Sequence, residues 1–339
     1  MKITGIIAEY NPFHQGHIYH IKKTKEITGC DCLVVILSGC FTQRGLPSLL
    51  SVQDKTRLAL EYGANLVLEC PSCYCMQSAD YFARYNIESL ASLPIDTLSF
   101  GSETNDISYL EHQLSLLENI QIDPSKSLNH NIEMSLKPND ILGMQYIRYC
   151  HLYGIRPVSI QRNDKYKSAT QTREDYFEGK RENFDSLFLK EQNWNSYYPF
   201  LKNVLSLTDP KDLTTYFLVN EGIENRLCSI AQKANTWNDF LDQCITKNYS
   251  RARIQRICLM ILLQIKKEEM KEPSFSKIKV LGFDSMGQKC LKQADSHKII
   301  TRFNQLDPFL QKVERNSWIL YNSVLKKPLN KGAVILYDR

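Results

Sequence analysis

Two histidines three residues apart, His14 and His17, flank Gln15-Gly16 in the stretch Ile6-Ile7-Ala8-Glu9-Tyr10-Asn11-Pro12-Phe13-His14-Gln15-Gly16-His17-Ile18-Tyr19-His20. At that spacing both imidazoles can serve one anion if the segment opens a helix. A helix start adds free backbone N–H groups and the positive end of the dipole, which suits a phosphate. Gly16 leaves the backbone open to close approach. The flanking sequence supplies such a start. Lys2 to Ala8 is apolar and β-branched after the lysine, which predicts a short buried strand. Asn11-Pro12 breaks it, because proline fixes φ and disfavours helix in the residue before it. From Gly16 onward Ile18, Ile21 and the Lys22-Lys23-Thr24-Lys25-Glu26 tail predict an amphipathic helix. The same two histidines could serve only as helix caps, but the strand–turn–helix context favours phosphate chemistry.

The elements that position this turn follow in order. Cys32 to Leu37 is apolar throughout and reads as a second strand buried on both faces, as in a parallel sheet. It runs into the polar loop Ser38-Gly39-Cys40-Phe41-Thr42-Gln43-Arg44-Gly45, in which Arg44 offers a cation to pyrophosphate or RNA. Further strands are predicted at 66–71, 95–100 and 158–162, with helices between them near 52–60, 78–93 and 139–150. The alternation predicts an α/β fold, a Rossmann-like doubly wound parallel sheet. Ligands of such sheets bind at the carboxyl ends of the strands. Arg162, at the end of the fifth strand, would face that crevice with a planar fork suited to phosphate or to stacking on a base. Asn139 or Asp140 can cap the helix that follows Lys137-Pro138.

The tetrapeptide His14-Gln15-Gly16-His17 resembles the HxGH signature of the nucleotidylyl-transferase superfamily. The longer string from Glu9 to His17, with SGCFTQRG at 38–45, FGSE at 100–103 and PNDILG at 138–143, resembles the bacterial tRNA(Met) cytidine acetate ligase family. The resemblance implies that residues Ile7, Ala8, Glu9, Tyr10, Asn11, Pro12, Phe13, His14, Gln15, Gly16, His17, Ile18, Tyr19 and His20 form the ATP site, together with Gly101, Asn139, Arg162 and Ser168. It implies catalytic roles for His14, His17 and Arg173, the last lying in Tyr166-Lys167-Ser168-Ala169-Thr170-Gln171-Thr172-Arg173, which is similar to the superfamily's second signature. Lys167 stands where related sequences tend to carry histidine. The implied chemistry has two steps. Acetate attacks the α-phosphate of ATP, with Mg2+ accompanying the triphosphate, and the acetyl group then passes to N4 of the wobble cytidine of elongator tRNA(Met). No carboxylate stands out as a Mg2+ ligand and no side chains as acetate ligands.

From about residue 180 helical periodicity dominates, which predicts a catalytic domain over 1–178 and a mainly helical domain over 179–339. Charge follows the same division. Residues 1–175 carry 16 Lys and Arg against 19 Asp and Glu, and residues 176–339 carry 26 against 18. A basic helical half suits a polyanion partner, and Arg251, Arg253 and Arg256, the latter two on one helix face, are the candidate tRNA contacts with Arg44. Val280-Leu281-Gly282-Phe283 with Gly287 reads as a compact turn, and Val334 to Tyr337 as a final strand. The 11 cysteines sit mostly in apolar segments, which favours reduced thiols, although Cys70, Cys73 and Cys75 are spaced as metal ligands can be. No apolar run is long enough to cross a membrane, and a cytoplasmic protein is expected. Two other readings fit part of the chain. One is a nucleotidylyl transferase acting on a small phosphorylated metabolite, which leaves the basic half without a task. The other is a tRNA-binding protein with an inactive nucleotide fold.

Overall fold

The computed structural model describes residues 1–118, 136–163, 165–270 and 277–338. The polar stretch 125–131, whose sequence reads as a mobile linker, lies outside them. Eight strands form one sheet: β1 (Ile3–Ala8), β2 (Cys32–Ser38), β3 (Leu66–Cys70), β4 (Thr97–Ser102), β5 (Arg156–Gln161), β6 (Ile278–Phe283), β7 (Ile299–Ile300) and β8 (Ile335–Leu336). Their order is β5-β4-β1-β2-β3-β6-β7, with β8 also pairing β6. The first five are mutually parallel. β2 is buried along its whole length, as its uninterrupted apolar sequence requires of a central parallel strand. The chain steps from β1 to β2 and β3 on one side and then to β4 and β5 on the other. The strand order therefore reverses between β1 and β4, and an open α/β sheet leaves its ligand crevice at such a reversal.

Helices α1 (Gln15–Thr28), α2 (Val52–Glu61), α3 (Ser72–Cys75), α4 (Ala79–Leu90), α5 (Ile107–Glu118) and α6 (Pro138–Tyr153) connect or flank these strands. At Gly5 in β1 a Cβ would lie 2.9 Å from a methyl of Leu90, so the strand needs glycine for α4 to pack this closely. After α7 (Ala169–Phe177) the chain becomes helical: α8 (Trp194–Leu207), α9 (Pro210–Leu213), α10 (Ile223–Lys233), α11 (Trp237–Cys244) and α12 (Arg251–Leu262). Trp194 and Trp237 stack at 4.1 Å between ring centroids and join α8 to α11.

The last stretch of chain returns to the sheet. The run Val280-Leu281-Gly282-Phe283 is not a turn but the body of β6, antiparallel to β3. The reason is the open edge of β3, whose apolar residues need a second neighbour. Gly282 is required there because a Cβ would meet Leu60, Thr56 and the Ile335 carbonyl oxygen at 2.9–3.0 Å. Helix α13 (Ser285–Leu291) then packs under β2 and β3, and α14 (Pro308–Ser323) lies along the loops of the sheet. Ten of the 11 cysteines are buried and all are free thiols, including Cys70, Cys73 and Cys75 in and after β3.

Candidate active site

The turn after β1 folds as a reciprocal cap. His14 is the N-cap of α1, and its Nδ1 accepts a hydrogen bond from the Gly16 N–H at 3.0 Å. His17 Nδ1 accepts from the His14 N–H at 3.2 Å. This is the capping-box arrangement built from two imidazoles in place of hydroxyl and carboxylate. The rings lie 3.8 Å apart between centroids. Both the capping and the anion-binding reading of these histidines are therefore compatible with the geometry. With each Nδ1 used as an acceptor, the neutral ring carries its proton on Nε2. Burial, then the nearby Arg162 guanidinium, lowers His14 to about 4. Burial, then His14, His20 and Arg162, holds His17 well below its usual value. Burial and Arg162 likewise lower His20 to about 4. Near neutral pH His14 and His17 thus present two Nε2–H donors without charge.

Gly16 owes its identity to the cap. A Cβ on it would lie 2.8 Å from Cε1 and 3.0 Å from Nδ1 of His14, so the space it leaves is filled by the imidazole itself. Behind the histidines, Tyr10, Pro12, Phe13 and Ile18 are buried. Tyr10 adopts φ 47° and packs edge-on to Phe13 and His17 at 4.8 Å. These four side chains support the turn from the core side. Asn11, which follows Tyr10 and precedes a cis proline, ties the turn to the neighbouring loop through its bonds to the Pro47 carbonyl oxygen and the Leu49 N–H. Ile7 and Ala8 end β1, Gln15 is exposed, and Tyr19 packs on Tyr166. His20 lies 3.5 Å from the Ser99 hydroxyl of β4.

Three of the expected residues meet on the other side of the reversal. Glu103, after β4, accepts a hydrogen bond from Asn139 and lies 3.7 Å from Arg162 Nε. A Cβ on Gly101 would already touch Arg162 Cγ at 3.7 Å. Asn139 does not cap its helix. Lys137 is the N-cap of α6 with no side-chain bond. Asp140 instead turns back to accept from the Ser102 hydroxyl and the Glu103 and Thr104 N–H groups. Pro138 at the first helical position leaves one backbone N–H fewer to satisfy, and the two polar side chains shape the turn after β4 instead.

Ser168 caps α7 by accepting from the Gln171 N–H. Arg173, further along α7, donates to Asn11 Oδ1 at 2.6 Å and to the Pro47 carbonyl oxygen at 3.3 Å. Its guanidinium reaches the turn from the Asn11 side, and burial lowers it to about 10. Lys167 points away, to Asp175 and Glu182.

Sequence reasoning missed Lys55. Its ammonium donates to the carbonyl oxygens of Ser38, Gly39 and Glu9 at 2.7, 2.9 and 3.2 Å, and so ties the ends of β1 and β2. Burial lowers it to about 8. The signal was present: Lys55 falls with Val52, Thr56 and Ala59 on the buried face of α2, where a lysine has to be fully hydrogen-bonded.

The arginines of α12 separate. Arg256 is not an exposed RNA contact. It is half-buried and donates to the Gln77 and Gln43 carbonyl oxygens at 3.0 and 3.4 Å. Burial, with Arg253 nearby, lowers it to about 10. The reason is that α12 docks on the loop after β2. Gly45 there has φ 73°, and a Cβ on it would lie 2.8 Å from the Arg256 nitrogen. Trp194 Nε1 donates to the Gly45 carbonyl oxygen at 2.9 Å. Arg253 lies over the Tyr249 ring at 4.0 Å and pairs with Glu221. Arg251 pairs with Asp242 and is exposed, as is Arg44.

A family model described as HIGH Nucleotidyl Transferase matches residues 1–137 and 125–330. The tRNA(Met) cytidine acetate ligase of a Geobacillus species is 32% identical, with 97% of this chain and 96% of that protein covered. The protein of the same name from Listeria monocytogenes serovar 1/2a is also 32% identical, with 96% of both covered. The fold of Thermotoga maritima TmcAL in its apo form superposes with a TM-score of 0.86 over the whole of both chains, at 23% identity. A second crystal form of that protein, bound with alpha-thio ATP, gives 0.84 at 25% identity. A strand–turn–helix built on two reciprocally capping histidines, with likeness to these relatives along almost its full length, means that the chain belongs to the HIGH nucleotidyl transferase family and, within it, to the tRNA(Met) cytidine acetate ligases.

Proposed function

We propose that this protein joins acetate to ATP as acetyl-adenylate, with release of pyrophosphate, and passes the acetyl group to N4 of the wobble cytidine of elongator tRNA(Met). The observation that carries the first step is the pair of neutral imidazoles at the start of α1, each with Nδ1 occupied and Nε2–H free to donate. Acetate and the α-phosphate repel one another, so the barrier falls only where donors offset the charge that builds on the phosphorus oxygens and the departing pyrophosphate. His14, His17 and the first N–H groups of α1 are such donors. Arg162 lies close enough to depress all three histidines, and we assign it to the nucleotide with Gly101 and Asn139. Arg173 acts at one remove, by fixing Asn11 and hence the turn. Ser168 starts the helix that carries it.

Among the described residues no three His, Cys, Asp or Glu side chains come together as a metal cradle, so the crevice does not fit a protein-built metal site. Mg2+ entering with ATP would ride on phosphate oxygens, and none of these steps is routed through it. For the second step the wobble base has to leave its stack to reach the acyl carbonyl. Arg44, Arg253 and Arg251 are the cations best placed for the tRNA backbone. Arg44 stands in the loop on which α12 docks, and Arg253 is about one turn along α12 from the docking residue Arg256. No helix among the described residues is long and apolar enough to cross a membrane, and we place the reaction in the cytoplasm with its tRNA.

The test uses purified protein, ATP and radiolabelled acetate. Acetate-dependent exchange of pyrophosphate into ATP without tRNA, followed by label in tRNA(Met) but not in a transcript whose wobble cytidine is replaced by uridine, is the expected result. Exchange that ignores acetate, or label that ignores the wobble base, refutes it.

A further inference from the structure

A cavity of about 160 Å³ opens beside the carboxyl end of β3, two strands away from the histidine turn, between α2, β6, α14 and the last residues of the chain. A single water needs only ~10–15 Å³, and sites for drug-sized ligands start near ~300 Å³, so the space suits a small molecule. Its walls include Leu281, Phe303 and Trp318, and it is also lined by Glu69, Lys279, Glu314 and Lys331. These four groups are unevenly matched. Lys279 Nζ donates to Glu69 Oε2 at 2.6 Å, which pairs one carboxylate. Glu314 accepts from the Ser72 N–H and hydroxyl at 2.6 and 3.2 Å, neutral donors that leave its charge without a cation. Burial, with Glu69 beside it, pushes Glu314 up to about 8. Oε1 of Glu69 accepts no hydrogen bond among the described residues, although its side chain is only 10% exposed.

The unpaired oxygens converge. A Cβ on Gly39 would stand 3.4 Å from Glu69 Oε1, 3.8 Å from Ser72 Oγ and 3.9 Å from Glu314 Oε2. Glycine at 39 therefore leaves a methyl-sized space with three oxygens around it, which is the size of an ammonium group and offers it the acceptors it needs. An anion would be repelled there. Lys331 supplies the opposite charge elsewhere on the wall. Its Nζ lies 4.9 Å from the centre of the Phe303 ring and pairs with no carboxylate among the described residues. Two carboxylates thus stand against two ammonium groups, a sum that a zwitterion leaves unchanged and that a simple amine or a simple acid would upset. We propose that this cavity binds an α-amino acid with an uncharged, apolar side chain, its ammonium among Glu69 Oε1, Glu314 Oε2 and Ser72 Oγ, its carboxylate on Lys331 and its side chain against Phe303 and Trp318.

Ligand-observed NMR titration of the full chain tests it, without ATP, acetate or tRNA. The probes are L-leucine, L-methionine and L-phenylalanine, each beside its counterpart lacking the carboxylate and its counterpart lacking the amine. At least one of the three amino acids should bind with a Kd of about 1 mM or tighter. Its amine counterpart should bind about tenfold more weakly, and its acid counterpart should not bind measurably. Gly39→Ala fills the ammonium's space. Gly39 is not among the left-handed glycines, and the new Cβ would make only ordinary contacts at 3.4 Å or more, so the variant should melt as the unaltered protein does yet bind the amino acid at least about tenfold more weakly. Lys331→Ala should bring the amino acid down to the level of its amine. An unaltered protein that binds none of the three, or that takes the acid as well as the amino acid, overturns the proposal without any variant having to fold. So does a Gly39→Ala protein that binds the amino acid undiminished.

Discussion

Gly16→Ala separates the catalytic role of the histidine cap from its structural one. The new Cβ would sit 2.8 Å from His14 Cε1, against an ordinary contact of 3.4 Å or more, so the ring has to retreat by about 0.6 Å. The atom it meets belongs to a side chain that can swing, and the fold need not break. What is lost is the bond from the Gly16 N–H to His14 Nδ1, a cap of about 1 kcal/mol. Alanine restores up to about 1 kcal/mol of helix preference over glycine. The two nearly cancel, so the melting temperature should stay within about 2–4 °C. Activity should not survive so well. A displacement approaching 1 Å at a group that holds the reacting phosphate can cost about a hundredfold, and acetate-dependent pyrophosphate exchange should fall by about 10- to 100-fold. The control is the same substitution in a His14→Ala background. There the clash is absent, and alanine at 16 should stabilise rather than leave stability unchanged, giving a coupling of at least about 0.5 kcal/mol. An unchanged exchange rate in Gly16→Ala, or identical stability effects in both backgrounds, would refute the idea that the imidazole fills the glycine's space for catalysis.

His17→Ala should abolish pyrophosphate exchange, because the rate depends on its Nε2–H, yet leave tRNA affinity intact in a filter-binding assay. Arg256→Met removes the donor to the Gln43 carbonyl oxygen and leaves that of Gln77 with the bond from Gln43 Nε2, and should cost about 1–3 kcal/mol in denaturant unfolding without altering the salt slope of tRNA binding. Arg253→Glu should do the opposite, weakening tRNA binding and lowering that slope by about 1. Acid should loosen the ligand-free protein in a defined window. The three histidines are held below 6.5 when folded, His14 and His20 at about 4, so the unfolded chain binds more protons and stability falls as pH drops from about 6.5 towards 4. One site could contribute at most about 3 kcal/mol, less with partial exposure, and thermal melts of His20→Asn should show a shallower fall over that window.

The first five strands and the histidine turn were legible because each is specified locally: an apolar run, a breaker, a helix start. Arg162 could be placed at the crevice from the sheet rule, and Gly101 and Asn139 beside it only through the family resemblance, although the partner that joins Asn139 and Arg162, Glu103, could not. Its importance arises from groups 36 and 59 positions away in the chain, and no local pattern encodes that. Arg256 was misread for a related reason. On an isolated helix its face looks basic and wet, and only the glycine at 45 reveals that another backbone docks there. β6 was hidden among helices because six residues pairing with a strand more than 200 positions earlier carry no period of their own.

That late pairing bears on how the protein is made. When a ribosome has emitted the five parallel strands, β3 still presents an apolar edge with no neighbour, and about 100 residues of helix must follow before β6 emerges to cover it. An uncovered edge of this kind is a template for association with other chains. Truncation shortly before residue 278 would leave the histidine turn intact in sequence but the nascent sheet sticky. Soluble expression should therefore depend on the last 60 or so residues far more than their distance from the chemistry would suggest.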